Sequence, residues 1–317
     1  MVEAAFIVPY YLSPYSLSPG QGEAGGCSTT TMMGCRYACS ERELLMSSTA
    51  ILWFTEEACR EVRLAGGKGA SLANMTAEGL PVPPGFVIPA FVLEQSVDAN
   101  RLRELVQAQD YKEAQELVQH AIPPRQSILA GYERFGGKVA VRSSACAEDS
   151  EAASYAGQQE TYLNVIGADE VCARVVDCWA SFFSERALFY RFRKGSLMDL
   201  GMAVVVQKML DPVKSGVIFT ADPVSRRRDR MIIEAVFGLG EQVVSGSVTP
   251  DHYVVDRAGS VKRQEIVDKR VLEDEEIRQL VALGTNLATR FGTPQDIEWA
   301  IEDGKIYLLQ SRPITTL

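Results

Sequence analysis

The chain has 317 residues, a formal net charge of −9 and 46% hydrophobic residues, a composition that suits a soluble globular protein with about two domains. The acidic balance argues against a broad nucleic-acid surface, and no apolar run approaches the length of a membrane span. The seven cysteines include no Cys-x-x-Cys pair, so we expect reduced thiols in a cytoplasmic protein and not a disulfide frame or a zinc site.

Residues 1–50 are rich in Ser, Thr, Gly and Pro and show no lasting periodicity. This composition predicts a disordered or weakly ordered leader. An over-long start assignment is the alternative, because Met33 and Met46 are possible starts. No basic segment follows Met1, so a signal peptide is not expected.

Residues 51–200 are predicted to form a helix-rich first lobe. A Gly-rich turn at 66–69 leads into its first helix, and the Pro-rich segment 80–85 is expected to be extended. A strand is predicted over 138–142, followed by a polar loop over 143–161. The helices of this lobe are predicted over 70–78, 90–109, 111–121, 125–135 and 168–192.

Residues 201–317 are predicted to form a second lobe rich in strands, with the lobe boundary near 195–201. One helix is expected over 273–291, and a hairpin closes the chain over 295–313. The other strands are predicted over 202–209, 215–220, 231–237 and 253–256. Together the two halves predict an α+β fold with two lobes around a cleft.

The closing hairpin carries polar groups where a buried hairpin should be apolar. Asp296, Glu298, Gln310 and Arg312 combine carboxylate, amide and guanidinium groups, which suits a metal-bound polyphosphate. The alternative is an edge hairpin with a solvated charged face.

The register of the hairpin decides whether these groups share a face. A two-residue Asp303-Gly304 turn would place Glu298 opposite Leu309 and Gln310 on the other face. A three-residue loop over 302–304 would pair Glu298 with Leu308 and Asp296 with Gln310, with Arg312 further along the same face. The functional hypothesis requires the three-residue loop.

Other segments offer groups for phosphate or nucleotide. Lys68 lies in Gly66-Gly67-Lys68-Gly69, where backbone N–H groups of a helix start are free, although such turns are commonly only turns. Arg142 ends an apolar strand and precedes two serines, which suits a phosphate corner or an ordinary salt bridge.

The loop 154–161 is small, polar and glycine-bearing, so it is either a cover over a triphosphate or a plain surface connection. The strand 204–209 contains Gln207 and is either a wall for a purine or a core strand. The segment 237–241, Phe-Gly-Leu-Gly-Glu, is a nucleotide-contacting loop or a turn.

In order and spacing these motifs resemble the nucleotide-binding module of the pyruvate phosphate dikinase and phosphoenolpyruvate synthase superfamily, which has an ATP-grasp fold. The resemblance covers residues 60–317. It is carried by the segments 67–72, 141–145, 147–149, 154–158, 296–299 and 310–313. The segments 220–223, 238–241, 244–246 and 311–317 are most similar to the rifampicin phosphotransferase branch, with phosphoenolpyruvate synthase as the alternative.

The resemblance implies a role for each matching residue. Lys68 and Arg142 would hold the ATP phosphates, and Arg312 would contact them where charge develops, so these three are the catalytic candidates. Glu298 and Gln310 would ligate Mg²⁺.

Four further residues complete the implied site. Gly157 and Thr161 would belong to a loop that closes over the phosphates. Gln207 would lie near the adenine, and Asp296 would support the metal ligands.

The resemblance also implies partners. The family's reaction passes phosphate through a histidine on a separate domain, but His120 and His252 do not lie in such a motif and are expected to be structural or surface residues. The acceptor-binding domain is missing too. We therefore expect an ATP- and Mg²⁺-dependent phosphotransferase module that is incomplete alone, as a fragment, a truncated product or a subunit of a split enzyme.

The expected acceptor is a rifamycin-type antibiotic, which would make the whole enzyme an antibiotic-resistance factor. A phosphoenolpyruvate synthase-like enzyme and a non-catalytic nucleotide-binding module are the alternatives. The expected partners are ATP, the phosphohistidine carrier domain and the acceptor-binding domain, and neither nucleic acid nor a membrane.

Overall fold

Two antiparallel sheets organise the chain. The computed structural model describes residues 50–146, 160–194, 200–240, 248–315 and 317. The predicted leader, apart from Ala50, and most of the loop predicted over 143–161 lie outside the described residues. The predicted α+β class, with helices and two sheets, is confirmed.

The first sheet has five strands in the order β1-β2-β5-β3-β4. Its strands are β1 (Leu52–Trp53), β2 (Gly85–Ile88), β3 (Lys138–Ala145), β4 (Thr161–Ile166) and β5 (Met202–Lys208). The sequence analysis missed β1, β2 and β4, which are short or begin in segments with the Pro, Gly and polar residues of loops.

The second sheet has six strands in the order β11-β10-β6-β7-β8-β9. Its strands are β6 (Lys214–Phe219), β7 (Arg230–Phe237), β8 (Asp251–Asp256), β9 (Val261–Glu265), β10 (Gln295–Glu302) and β11 (Lys305–Pro313). Strand β9 was missed because its residues, Val-Lys-Arg-Gln-Glu, show no apolar alternation.

The described helices are more numerous than predicted, and most are shorter, although the first is longer than the predicted 70–78. They are α1 (Val62–Ala77), α2 (Phe91–Ser96), α3 (Ala99–Gln107), α4 (Tyr111–Gln119), α5 (Arg125–Glu133), α6 (Ala168–Phe182), α7 (Glu185–Lys194) and α8 (Asp274–Phe291), with a 3₁₀ turn over Glu57–Arg60. The helix predicted over 90–109 is divided because the Asp98 side chain caps α3, accepting hydrogen bonds from the backbone N–H groups of Asn100 and Arg101.

Two hydrophobic cores lie on opposite faces of the first sheet. Strand β5 shows the division, since Met202 and Val204 pack with helices α2–α7 while Ala203 and Val205 pack with α1. The second core also includes one face of the second sheet and α8. A strand that is apolar on both faces is typical of the middle of a protein.

Strand β5 lies in the first sheet, although the sequence analysis assigned it to the second lobe. It pairs with β2 and β3. The chain therefore passes from one sheet to the other between Lys208 and Lys214, and not near residue 201. Strand β5 is long and apolar like the strands after it, so its residue composition does not show which sheet it joins. The described residues belong to one compact unit, so the division into two lobes at residue 200 stays a prediction.

The sequence analysis expected reduced thiols and no membrane span. In the described part of the chain, Cys59, Cys146, Cys172 and Cys178 form no disulfide. Burial raises the pKa of the Cys59 thiol to about 12. None of the described helices combines the length and the apolar character that a membrane span requires.

Candidate functional site

The closing hairpin turns on two residues. Glu302 pairs with Lys305, and Asp303 and Gly304 both have positive φ, 50° and 71°. These angles belong to the tight hairpin turn that Asp-Gly favours. The predicted three-residue loop is therefore wrong.

A β-bulge nevertheless brings the polar groups onto one face. Trp299 pairs with Leu308, but Glu298 pairs with Gln310, so Leu309 is the extra residue. The predicted pairs of Glu298 with Leu308 and of Asp296 with Gln310 are wrong for the same reason.

The polar residues face away from the core of the second sheet. Asp296 pairs with Arg312 as Glu298 pairs with Gln310. Ile297 and Trp299 alternate with the two acids and lie in the core, so the two cross-strand pairs occupy the opposite face. The functional part of the prediction, four polar groups on one face, agrees with this register.

Arg142 joins this face from the first sheet. Its Nη2 donates to Glu298 Oε2 at 3.2 Å, and its Nη1 donates to the backbone oxygen of the bulged Leu309 at 3.4 Å. Its Nε is buried and has no hydrogen-bond partner among the described residues. A buried, unpartnered N–H is costly, and an anion in the cleft would satisfy it.

Lys68 reaches the same region because α1 is kinked at Gly66. Gly66 has φ 67° and ψ 172° inside the helix. The Ser144 hydroxyl donates to the Ala65 oxygen at 2.8 Å and accepts from the Gly69 N–H at 3.2 Å, which fixes the kink against β3. The predicted turn at 66–69 is thus reduced to one non-helical residue, Gly66, at a kink that joins two helical segments.

The environment of Lys68 favours its neutral form. Its Nζ donates to the Ser143 oxygen at 3.0 Å. Burial, reinforced by the nearby Arg142 guanidinium, lowers the pKa of Lys68 to about 7, although the carboxylate of Glu298 opposes the shift. A bound polyphosphate would reverse this balance.

Asp296 and Arg312 form an ion pair beside the metal-ligand candidates. Arg312 Nε donates to Asp296 Oδ2 at 2.7 Å. The Asp296 side chain is 11% exposed and that of Arg312 is 61% exposed. Burial raises the pKa of Asp296 even though Arg312 opposes it. The exposed guanidinium has donors to spare for a ligand.

These side chains border a cleft of about 550 Å³. Lys68, Asp296, Gln310 and Arg312 line it, together with Ser71 and Thr293. Arg142 and Glu298 are not lining residues but adjoin the cleft, because Glu298 pairs with the lining residue Gln310 and contacts Arg142. With these two, the region carries three cationic groups and two carboxylates. This balance and volume fit an anion of triphosphate size.

Of three predicted nucleotide contacts, one lies outside the described residues and two are not among the residues that line the cleft. Gly157 is not among the described residues. Thr161 is exposed and pairs with Arg142 in the first sheet. Gln207 is buried, and its amide donates to the Pro83 oxygen at 3.3 Å, so it does not line the cleft of 550 Å³. Their nucleotide roles stay predictions.

Sequence reasoning missed a carboxylate on the cleft face. Glu234 lies on the same sheet row as Glu298, with Val217 between them. Its pattern, an acid within the apolar strand Met-Ile-Ile-Glu-Ala-Val-Phe, could have identified it. His252 lies beside it, with 3.8 Å between Nδ1 and the Glu234 carboxylate, which raises the pKa of His252.

The other histidine lies at a helix end. His120 follows the last residue of α4 and is exposed, with its Nδ1 2.7 Å from the Glu116 oxygen.

Within the described residues, no group of three or more His, Cys, Asp or Glu side chains comes together as a metal site. The predicted set of one carboxylate and one amide is smaller than that. It fits Mg²⁺, which binds through one or two protein oxygens and completes its shell with phosphate and water.

The family model "Pyruvate phosphate dikinase, AMP/ATP-binding domain" matches residues 62–271 and 257–317. The chain is 42% identical over 315 residues to a probable phosphoenolpyruvate synthase of Archaeoglobus fulgidus, covering 84% of this chain and 42% of that protein. It is 35% identical over 316 residues to a rifampicin phosphotransferase of Bacillus cereus, covering 85% and 36%. The chain thus spans less than half the length of these relatives.

A solved structure of the ATP-grasp ligase PsnB is similar at a TM-score of 0.34, with 10% identity, over 89% of this chain and 64% of that one.

Proposed function

The chain belongs to the family of pyruvate phosphate dikinase AMP/ATP-binding domains, and on this premise we propose that it starts a dikinase-type phosphoryl transfer. In this reaction ATP, water and a histidine on another domain or partner yield AMP, phosphate and phosphohistidine. The phosphohistidine then transfers its phosphoryl group to a small-molecule acceptor. The histidine and the acceptor site are supplied outside this chain.

The register of the closing hairpin is the observation that supports the proposal. Glu298 and Gln310 pair directly across β10 and β11, and Arg142 of the other sheet donates to Glu298. Side chains from the two sheets therefore meet beside the cleft. Phosphoryl transfer needs such positioning more than covalent chemistry by the protein.

The side chains divide the work by their chemistry. Arg142, Arg312 and Lys68 would bind and orient the phosphates, and their charge would stabilise negative charge that develops during transfer. Arg142 would exchange Glu298 for a phosphate oxygen, which frees that carboxylate. Glu298 and Gln310 would hold Mg²⁺, which, when bound, neutralises phosphate oxygens.

A trans-complementation assay tests the proposal. The chain is mixed with Mg²⁺, ATP and the part of the A. fulgidus relative that lies outside the match, prepared as a separate protein. We expect AMP, and we expect Glu298→Ala to reduce its formation about a hundredfold. Glu302→Ala, on the same face of the same strand, is the matched control and should retain most activity.

The same assay addresses the non-catalytic alternative. Tight binding of ATP without AMP, at saturating partner, would contradict the proposal and leave a nucleotide-binding module. Equal AMP formation by Glu298→Ala and Glu302→Ala would contradict the role of Glu298.

The acceptor is a finer matter than the nucleotide chemistry. The relatives include proteins named probable phosphoenolpyruvate synthase at 42% identity and rifampicin phosphotransferases at 35% and 39%. We propose a small molecule with a hydroxyl or enolisable group, with pyruvate and rifamycin as the candidates. Acceptor-dependent turnover of the whole natural protein with each compound would separate them.

A further inference from the structure

The loop between β6 and β7 is a concentrated basic surface on an acidic protein. It contains Arg226, Arg227 and Arg228 in succession, and Arg230 begins the next strand. The chain as a whole has a net charge of −9. All residues of 224–229 are exposed, and Val224 is 92% exposed at its start. We call residues 224–230 the arginine loop.

The backbone of the arginine loop is held in place from both ends. Asp222 accepts hydrogen bonds from the N–H groups of Val224 and Ser225, at 2.9 and 3.0 Å. Arg257 of the β8–β9 turn donates from Nη2 to the backbone oxygens of Thr220 and Arg228, at 2.8 and 2.7 Å. The backbone of the loop is therefore preorganised, which lowers the entropy cost of binding a partner.

Two guanidinium groups of the loop are available for a partner. Arg227 is occupied, since its Nε and Nη2 donate to the two oxygens of Asp229 at 3.0 and 2.8 Å. Within the described part of the chain, Arg226 and Arg228 make no side-chain ion pair or hydrogen bond. Both side chains are exposed, so their positive charges are accessible to a partner.

The loop stands at the end of the cleft that holds Asp296 and Arg312. Phe219, the last residue of β6, pairs with Asp296. Pro223 lines the cleft together with Arg312. A protein domain that contacts the arginine loop would therefore lie close to the phosphate-binding side chains.

We propose that the arginine loop docks an acidic surface of the domain that takes the phosphoryl group from ATP; this inference rests on the proposed function. The loop is exposed and none of its arginines lines the cleft, so it suits a protein surface better than a small anion. Arginine is enriched in protein interfaces, and the exposed Val224 offers an apolar contact beside the charges. The overall charge of −9 opposes the alternative, a nucleic acid.

The test compares two double charge reversals with the same change in net charge. Arg226→Glu with Arg228→Glu alters the loop. Lys112→Glu with Arg186→Glu, on exposed positions of α4 and α7, alters the helical layer on the far side of the first sheet. The probe is the part of the A. fulgidus relative outside the match, checked for folding by circular dichroism, and association is followed by stopped-flow fluorescence.

We expect the loop variant to associate at least tenfold more slowly at low salt, and the difference to shrink as salt rises. The control should change the rate less than twofold. ATP binding without the probe should be the same in all three proteins, which excludes misfolding. Equal rates for the two variants, or no association of the unaltered chain, would overturn the inference. Preferential binding of a 20-nucleotide RNA that depends on Arg226 and Arg228 would overturn it as well.

AMP formation separates this inference from the proposed function. If the unaltered chain forms AMP and the loop variant does so equally at limiting probe, the docking surface is wrong and the function stands. If association depends on the loop but no AMP forms at saturating probe, the proposed function is wrong.

Discussion

Charge at the cleft wall is balanced by neighbours that a ligand would replace. Arg142 forms an ion pair with Glu298, and Arg312 forms one with Asp296. Among the described residues, the hydrogen-bond partner of Lys68 is a single backbone oxygen, and its burial opposes the charged form. Of the cationic groups, Lys68 therefore has the protonation that is most sensitive to an arriving phosphate.

Binding of ATP should be accompanied by proton uptake at Lys68. The pKa of Lys68 is lowered to about 7 in the free chain, so at about pH 8 the amine is mostly neutral. Phosphate oxygens would favour the ammonium form and raise this pKa, so a proton is taken up; below about pH 6 the amine is already charged and uptake vanishes. Calorimetry in buffers of different ionisation enthalpy measures the uptake, which we expect to approach one proton per ATP.

Substitution identifies the group responsible for the uptake. Lys68→Arg keeps a charge that does not titrate in this range, so the uptake should disappear while ATP still binds. Lys305→Arg, on the exposed turn end of β11, should leave the uptake unchanged. Undiminished uptake in Lys68→Arg would show that another group titrates.

Two local irregularities position the site at the level of elements. The bulge at Leu309 sets Gln310 opposite Glu298 and also supplies a backbone oxygen to Arg142. The kink at Gly66 places the part of α1 that follows it against the end of β3, where Lys68 contacts Ser143. Regular continuation of either element would remove a predicted site residue from its place.

Gly66→Ala should lower both stability and ATP affinity. A Cβ at Gly66 would lie 2.2 Å from the Ser144 backbone oxygen, and the residue has φ 67°. The backbone must shift, so we expect a loss of about 3 kcal/mol in the free energy of unfolding, measured by urea denaturation, and at least tenfold weaker ATP binding.

Gly79→Ala is a matched control for this substitution. Gly79 has a similar φ of 70° but no atom within 4 Å of an added Cβ, so only the left-handed strain remains. We expect a loss of about 1 kcal/mol and unchanged ATP affinity. Equal losses for the two variants would show that the contact with Ser144 does not matter.

Across the whole molecule, the two sheets meet through Arg142 and Glu298. Arg142 lies on β3 and Glu298 on β10, 156 positions apart in sequence. A ligand that binds residues of both sheets therefore stabilises the folded chain as one unit, because the unfolded chain does not bring them together.

MgATP should raise the melting temperature of the chain. At a ligand concentration of about one hundred times Kd, the expected stabilisation is about 2.7 kcal/mol, measured by differential scanning calorimetry. Glu298→Ala should lose most of the difference between MgATP and ATP with EDTA, whereas Glu302→Ala should retain it. A magnesium-dependent shift that survives in Glu298→Ala would contradict the proposed metal ligand.

Local sequence was sufficient for much of the organisation and for the members of the site. Apolar periodicity predicted most strands of the second sheet, α8 and the α+β class. Residue chemistry and the resemblance singled out Lys68, Arg142, Glu298, Gln310 and Arg312, and the family membership agrees with that resemblance. Residue type and spacing are local properties, so they can be recognised without coordinates.

Only the tertiary structure decided which of these groups meet. The two-residue turn is favoured locally by Asp303-Gly304, but the bulge at Leu309 places Leu308 in the core and Gln310 in the cleft, which depends on packing against the rest of the sheet. The sheet that β5 joins, and the contact between Arg142 and Glu298, likewise depend on segments distant in sequence. Such pairings are settled by the free energy of burying whole faces, which no single segment contains.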